Sequence, residues 1–222
     1  MTPTFIVISG SLVTDQLLQL RFATSGQLSH LNFSIGNRVS KGQLLARLNQ
    51  SDRQTYLDRA LKQYEKTRAE FDAKTKTDLT EYERTKLQSE LDISVKNVEL
   101  AKIDLEATNL YSPITGLVVA ADSGAVGMNI TPAAFTITLL DPNSIYFQGY
   151  IDQKDLSSIE VSQPATIALT SYPDLVLTGQ VTRVGFLPHK SSYPVAVSID
   201  GDKDHLRLGL TGKATLTHGQ EK

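Results

Sequence analysis

The sequence predicts a mixed α and β, multidomain and elongated protein. A small β-sandwich is split by an antiparallel α-helical coiled-coil hairpin and followed by a small β-barrel. Three observations predict this. Two similar turn–strand stretches, Ser25–Leu48 and Ser112–Leu139, flank a long segment of different composition. That segment, Ser51 to Ala107, has neither Gly nor Pro and carries seven-residue apolar spacing. From Ser144 onward, short apolar runs alternate with turn signals.

Taken in order, Phe5 to Ser25 reads as extended chain, because Leu18, Leu20 and Phe22 alternate with Gln19 and Arg21. Residues 1–24 are therefore expected to supply N-terminal strands to the barrel. Leu28, Leu31 and Phe33 lead to a turn at Ile35-Gly36-Asn37, and Lys41-Gly42 turns again into Leu44–Leu48. Gly36 and Gly42 sit where a reversing backbone calls for positive φ.

Asn49 or Ser51 is suited to cap the first helix. Leu57, Tyr64 and Phe71 then recur every seven residues, with Ala60 and Thr67 between them. Leu91, Val98 and Leu105 do the same, with Val95 and Ala101 between. Both series have coiled-coil seam spacing, but they are out of phase with each other. The polar stretch Lys74–Thr80 between them is the expected hairpin tip. Each arm is then roughly 25 residues, or about 38 Å. One continuous helix would instead hold the two β halves about 85 Å apart, each with too few strands to bury an apolar face.

The second half repeats the first: Ser112–Gly116 turns into Leu117–Ala121, Gly124–Gly127 turns again, and Phe135–Leu139 is a strand. Beyond it, strands are expected at Ile145–Tyr150, Ala165–Leu169, Leu175–Val184, Tyr193–Ile199 and Lys213–Thr217, with a short helix over Asp152–Ile159. Turns are expected at Tyr172-Pro173-Asp174, Leu187-Pro188, Asp200-Gly201-Asp202 and Leu210-Thr211-Gly212. Short strands with regular punctuation suggest a small barrel. The expected domains are 1–24, joining the barrel; 25–50 plus 108–140, the sandwich; 51–107, the hairpin; 141–217, the barrel; and 218–222, a tail.

The chain has 222 residues, 21% charged and 40% hydrophobic, with a formal net charge of -2. These are the proportions of a folded protein with a real core. The charge balance lacks the concentrated basic face that nucleic-acid binding needs. With no Cys, disulfides and thiolate chemistry are excluded. No run approaches the roughly 18 apolar residues that cross a bilayer, and the start carries no export signal.

The order of half β-motif, helical hairpin, half β-motif and barrel resembles the membrane fusion proteins, the periplasmic adaptor subunits of tripartite efflux pumps and type I secretion systems (HlyD-like family). Four stretches carry the resemblance. Gly26–Leu48, above all Val39-Ser40-Lys41-Gly42-Gln43-Leu44-Leu45, resembles the first lipoyl half. Tyr111–Val118 resembles the lead into the second half. Leu139–Phe147, followed by Asp152–Leu156, resembles the crossing into the barrel. Leu206–Ala214 resembles the last barrel strands. The sandwich is accordingly expected to be lipoyl-like.

The resemblance implies a non-catalytic adaptor linking an inner-membrane transporter of RND or ABC type to an exit duct, with an outer-membrane duct protein as the distal partner where one is used. It implies a homo-oligomeric ring and an extracytoplasmic, periplasmic location, tethered to the inner membrane through a segment absent from this chain. The family's membrane-proximal domain is expected to be absent or truncated here. Docking is expected at the hairpin tip, Lys76, Thr77, Asp78, Leu79 and Thr80, and through the barrel loops. Duct-docking adaptors often carry Arg, a hydrophobe four residues on, and Ser or Thr seven further. Arg84, Leu87 and Ser94 approach this pattern, but Arg84 and Leu87 are three apart; the alternative reading sets Arg84 and Ser94 on a solvated helix face and Leu87 in ordinary packing.

Other chemistry finds little support. A lipoyl or biotinyl carrier presents one Lys in the turn between its halves. Here Leu48-Asn49-Gln50-Ser51-Asp52-Arg53 opens the helical segment instead, so no cofactor is expected. His30, His189, His205 and His218 share no ligand-pair spacing. No nucleophile elbow, phosphate loop or dinucleotide fingerprint occurs. Glu65, Glu70, Glu81, Glu83 and Glu90 are interspersed with cations, as on a solvated coiled coil. Asp141 and Asp152 are suited to capping turns. The alternatives are a lipoyl/biotinyl-type carrier domain, which needs the missing Lys, and a coiled-coil scaffold, which needs heptads in phase through Lys74–Thr80.

Overall fold

The computed structural model describes residues 4–201, 203 and 205–218. In chain order the strands are β1 (Thr4–Val13), β2 (Leu17–Arg21), β3 (Gly26–Leu31), β4 (Arg38–Val39) and β5 (Leu44–Leu48). Helices α1 (Ser51–Lys74) and α2 (Glu81–Glu106) follow. Then come β6 (Asn109–Tyr111), β7 (Gly116–Ala121), β8 (Asn129–Ile130), β9 (Thr136–Leu140) and β10 (Tyr146–Asp152). The last are β11 (Pro164–Leu169), β12 (Tyr172–Val184), β13 (Ser192–Val197) and β14 (Thr211–His218). They form two compact units: Leu18–Leu139, and the chain on either side of it.

Within Leu18–Leu139, two four-stranded sheets in the orders β2-β9-β7-β4 and β6-β5-β3-β8 enclose one core. The sequence repeat is an exchange of strands. β3 pairs β8 through Gly26↔Ile130 and Gln27↔Asn129, and β4 pairs β7 through Arg38↔Leu117 and Val39↔Gly116. The turns repeat the exchange: Gly36 N–H donates to Val118 O and Gly127 N–H to Leu28 O, both at 2.7 Å. Gly36 has φ +90° and Gly127 φ +97°, a region open to Gly without steric cost. Gly42, also expected there, has φ +82°. Val39 and Val118 share the core with Leu28, Leu45, Phe135 and Ile137.

The helices fold back as the phase break predicts. α1 ends at Lys74 and α2 begins at Glu81. At the open end, Gln50 Nε2 donates to Thr108 Oγ1 at 2.7 Å, holding the two junctions together. The first cap differs from expectation. Ser51 already lies in the helix, Gln50 is the N-cap without a side-chain bond, and Asn49 Oδ1 accepts from Ser51 N at 2.9 Å.

The other unit is a closed barrel in the order β1-β10-β13-β12-β11-β14. Its strands alternate: Ala165, Ile167 and Leu169 are buried while Pro164, Thr166 and Ala168 face out. Phe147, Ile8, Leu12 and Leu216 complete the centre.

Four expectations need correction. Residues 1–24 do not all join the barrel, because Phe22 is buried and Leu20 half-buried in the sandwich core and β2 lies beside β9. Tyr172-Pro173-Asp174 is not a turn. The reversal is at Thr170-Ser171, and Pro173, which has no N–H to donate, falls where the β11–β12 register shifts. Leu210-Thr211-Gly212 is not a turn either. Gly209 (φ +83°) reverses the chain, while a Cβ on Gly212 would lie 2.4 Å from Ala168 O. The helix over Asp152–Ile159 is a 3₁₀ segment, Gln153–Ser158. Asp202 of the expected turn at 200–202 and residues 219–222 of the tail lie outside the described residues.

Candidate functional site: the hairpin tip and an apolar barrel loop

The tip is built by its own hydroxyls. Thr75 and Thr77 donate to Phe71 O at 2.8 Å and Lys74 O at 2.7 Å, closing the end of α1. Thr80 opens α2 with a capping box. Glu83 N–H donates to Thr80 Oγ1 at 3.3 Å, and Thr80 N–H returns a bond to Glu83 Oε2 at 3.0 Å. The bonds from Thr80, side chain first, hold the Glu83 carboxyl below its ordinary pKa. Between these caps Lys76, Thr77 and Asp78 are exposed and Leu79 is half-buried. The tip thus offers one cation, one anion and hydroxyls on a short connection capped at both ends.

Arg84 is exposed on the first turn of α2. Leu87 and Ser94 are not available beside it: both are buried, Ser94 at 4% exposure, and the Ser94 hydroxyl donates to Leu91 O at 2.6 Å. Their places follow from the heptad. Seam positions on α2 run 87, 91, 94, 98, 101 and 105, in alternating steps of four and three. Sequence reading found Leu91, Val98, Ala101 and Leu105. It allowed Leu87 as ordinary packing but set Ser94 on a solvated face, although stepping back four from Leu91 and from Val98 reaches both. Val95, expected in the seam, is half-buried beside it.

In the barrel unit the β12–β13 connection carries Phe186 at 96% and Leu187 at 82% exposure. These adjacent side chains stand at the mouth of a cavity of about 390 Å³ lined by Gln148, Arg183, Val184 and Pro194. The loop is braced at its base. His189 exchanges backbone bonds with Ser192, and its ring lies 5.7 Å from that of Tyr150. Sequence reading marked Leu187-Pro188 only as a turn. The signal available was two consecutive large apolar residues at a turn tip, where polar ones are the rule.

Asp141, one of the two expected turn caps, accepts from Asn143 N at 2.9 Å. Asp152 instead accepts from the Ser192 hydroxyl at 3.2 Å. Among the described residues no three His, Asp or Glu side chains stand close enough to hold a metal ion. No helix among them is long and apolar enough to cross a membrane.

Comparison with known proteins agrees with this architecture. No protein-family model matches the chain. A MacA–MexA chimera carrying the Pseudomonas aeruginosa MexA α-hairpin domain superposes with a TM-score of 0.84 at 19% identity, covering 99% of this chain and 83% of that one. The membrane fusion protein Spr0693 of Streptococcus pneumoniae R6 superposes at 0.77 with 18% identity, covering 97% and 100%. In sequence, the colistin resistance protein EmrA of Acinetobacter baumannii is 24% identical over 98 residues, 44% of this chain. The match spans only 28% of that relative's length. The chain therefore has the fold of the membrane fusion and periplasmic adaptor proteins.

Proposed function

We propose that this chain is a periplasmic adaptor, a non-catalytic membrane fusion protein that links an inner-membrane transporter to an exit duct for efflux or secretion. The observation that carries the reading is the architecture itself: a lipoyl-like sandwich interrupted by a helical hairpin where a carrier protein has its lysine turn. The residues between β5 and α1 are Asn49 and Gln50. That favours the adaptor over a lipoyl or biotinyl carrier. The out-of-phase arms, folded back at Lys74–Thr80, favour it over a continuous coiled-coil scaffold.

In this role the hairpin is a rigid spacer and its tip, Lys76–Thr80 with Arg84, meets the distal partner. The Phe186–Leu187 loop meets the transporter, of RND or ABC type. Apolar side chains this exposed lose hydration cost only when a partner covers them. The chain works outside the cytoplasm, as copies arranged in a ring.

Photocrosslinking from position 186 in intact cells tests the reading. An inner-membrane transporter is the expected crosslinked polypeptide, and crosslinking to it falls in a Leu187→Asp variant. A chain that instead carries a lipoyl or biotinyl adduct by intact-mass measurement, with no transporter crosslink, would sink the adaptor assignment.

A further inference from the structure

The barrel unit carries a trough on its outer face, along β13. Val195 and Val197 point into the core, so Pro194 and Ala196, with Ser198 just beyond, face outward. These three residues are short and span about 14 Å. On one side β10 sets Gln148 opposite Ala196 and Tyr150 opposite Pro194. On the other side β12 sets Arg183 opposite Ala196. Ala196 faces out yet is only 6% exposed, because longer side chains stand on both sides of it. Two cavities, of about 390 Å³ and 310 Å³, meet over Ala196 and Arg183. Together they have the size of a small-molecule site. The trough runs from the Phe186–Leu187 loop at one end to Lys203 and Asn143 at the other.

The polar groups along it already hold one another in place. The Tyr146 hydroxyl donates to Asp15 Oδ1 at 2.9 Å, and Gln148 Nε2 donates to the Tyr150 hydroxyl at 3.0 Å. Arg183 Nη2 stands 3.4 Å from both Asp15 Oδ2 and the Tyr146 hydroxyl. Lys203 Nζ donates to Asn143 O at 3.0 Å and to Ile145 O at 2.9 Å. Each group keeps capacity beyond these bonds: the second amide N–H of Gln148, the third N–H of Lys203, further N–H groups of Arg183 and lone pairs on Asp15. Donors and acceptors therefore stand side by side in a fixed arrangement. Next to them lie the apolar surfaces of Val184, Pro194 and Phe186.

We propose that this trough binds a short, neutral oligosaccharide. Charge decides against an ion. Arg183 faces Asp15, and Lys203 is turned onto two carbonyls with Asp141 and Asp200 near it. An anion thus meets no excess of positive charge, and a cation meets Arg183 and Lys203. Topology decides against a peptide added as a strand, because β13 is paired on both sides, by β10 and β12, and has no open edge. The ligand that fits is uncharged, gives and accepts hydrogen bonds through closely spaced hydroxyls, and turns C–H faces to apolar side chains. A sugar ring has all three properties. The planar carboxylate, guanidinium and amide of Asp15, Arg183 and Gln148 can each engage two neighbouring hydroxyls. The site goes beyond the adaptor reading and does not depend on it. The tips of Phe186 and Leu187 stay outside the trough, where a transporter can still cover them.

Amide chemical shifts of the isotope-labelled full chain test this. Maltotriose, cellotriose and chitotriose are each added to about 20 mM, enough to saturate a site of millimolar affinity. Saturable shifts are expected with at least one of these sugars at Tyr146, Gln148, Arg183 and Ala196, and at the Gln148 side-chain amide. Tyr146→Phe and Gln148→Ala should each weaken binding roughly threefold to tenfold, with the thermal unfolding of each variant showing that its barrel is intact. Thr166→Ala, exposed on the outer face of β11 and outside the trough, should bind as the parent does. Inorganic phosphate and a hexaproline peptide are the competing probes and should leave the trough amides unmoved.

Absence of saturable shifts with all of these sugars would overturn the proposal. So would shifts gathered outside the trough, unchanged binding by both trough variants, or tighter binding of phosphate or hexaproline at the same residues. A transporter crosslink from position 186 alongside any of these results would remove the saccharide site and leave the adaptor reading standing. Sugar binding in the trough without a transporter crosslink would do the reverse.

Discussion

At the scale of single residues, conformation at the tip is set by hydrogen bonds that the local sequence dictates. Thr80 and Glu83 hold the spacing of a capping box, and the box forms. Thr80→Ala should destabilise the start of α2 by roughly 1 kcal/mol, read as lost amide protection at Glu83. The box also carries a pH dependence. Its bonds lower the folded pKa of Glu83, so its contribution is full above the unfolded value, about 4.3, and is lost as pH falls through the lower folded value. Helical chemical shifts at residues 81–84 should therefore weaken at acid pH in the parent and depend less on pH in Thr80→Ala, where only the backbone N–H of position 80 still donates to the Glu83 carboxylate. Glycines separate by mechanism. Gly42→Ala has open space but φ +82°, and should cost about 1–2 kcal/mol in thermal unfolding. Gly10→Ala places a Cβ 2.0 Å from Gln148 O. It should disrupt the β1–β10 pairing and cost far more, seen as a barrel that unfolds early while the helical signal persists.

At the scale of elements, the hairpin was legible and its seam only partly so. Leu57, Tyr64 and Phe71 announce α1 because large apolar residues at seven-residue spacing have no other use in so polar a segment. Ser94 gave no such signal. It is buried because Leu91 and Val98 on either side fix the phase of the helix, and its hydroxyl is satisfied by the preceding turn. A polar residue in a seam looks like a surface residue until its neighbours are placed. Leu57→Ala should cost about 2 kcal/mol, since it removes a buried seam side chain. Ala101→Ser, at a half-buried seam position, should change stability by no more than about 0.5 kcal/mol. Urea midpoints followed at the helical signal compare them. Spin labels at positions 51 and 107 should lie within about 20 Å, against about 85 Å for a continuous rod.

At the scale of the whole molecule, recurring turn–strand patterns with a helical segment between them were enough to deduce one sandwich made from two separated halves. The core that Val39 and Val118 share is the physical content of that deduction, because neither half buries its apolar residues alone. Which strands complete each sheet could not be read in the same way. β2 alternates as well as any barrel strand, and only the burial of Phe22 and its pairing beside β9 assign it to the sandwich. The exposed Phe186–Leu187 loop escaped for a related reason: a hydrophobic pair has no address in sequence until the fold decides what covers it.

By itself the sequence determined the element types, the fold-back and the family whose architecture the chain shares. Those depend on periodicity, glycine placement and capping, which act over a few residues. Tertiary structure alone decided the partner of β2 and the turns at Thr170-Ser171 and Gly209. Each of these depends on which surfaces meet across long separations in the chain, and burial is a property of the pair of surfaces rather than of either stretch of sequence.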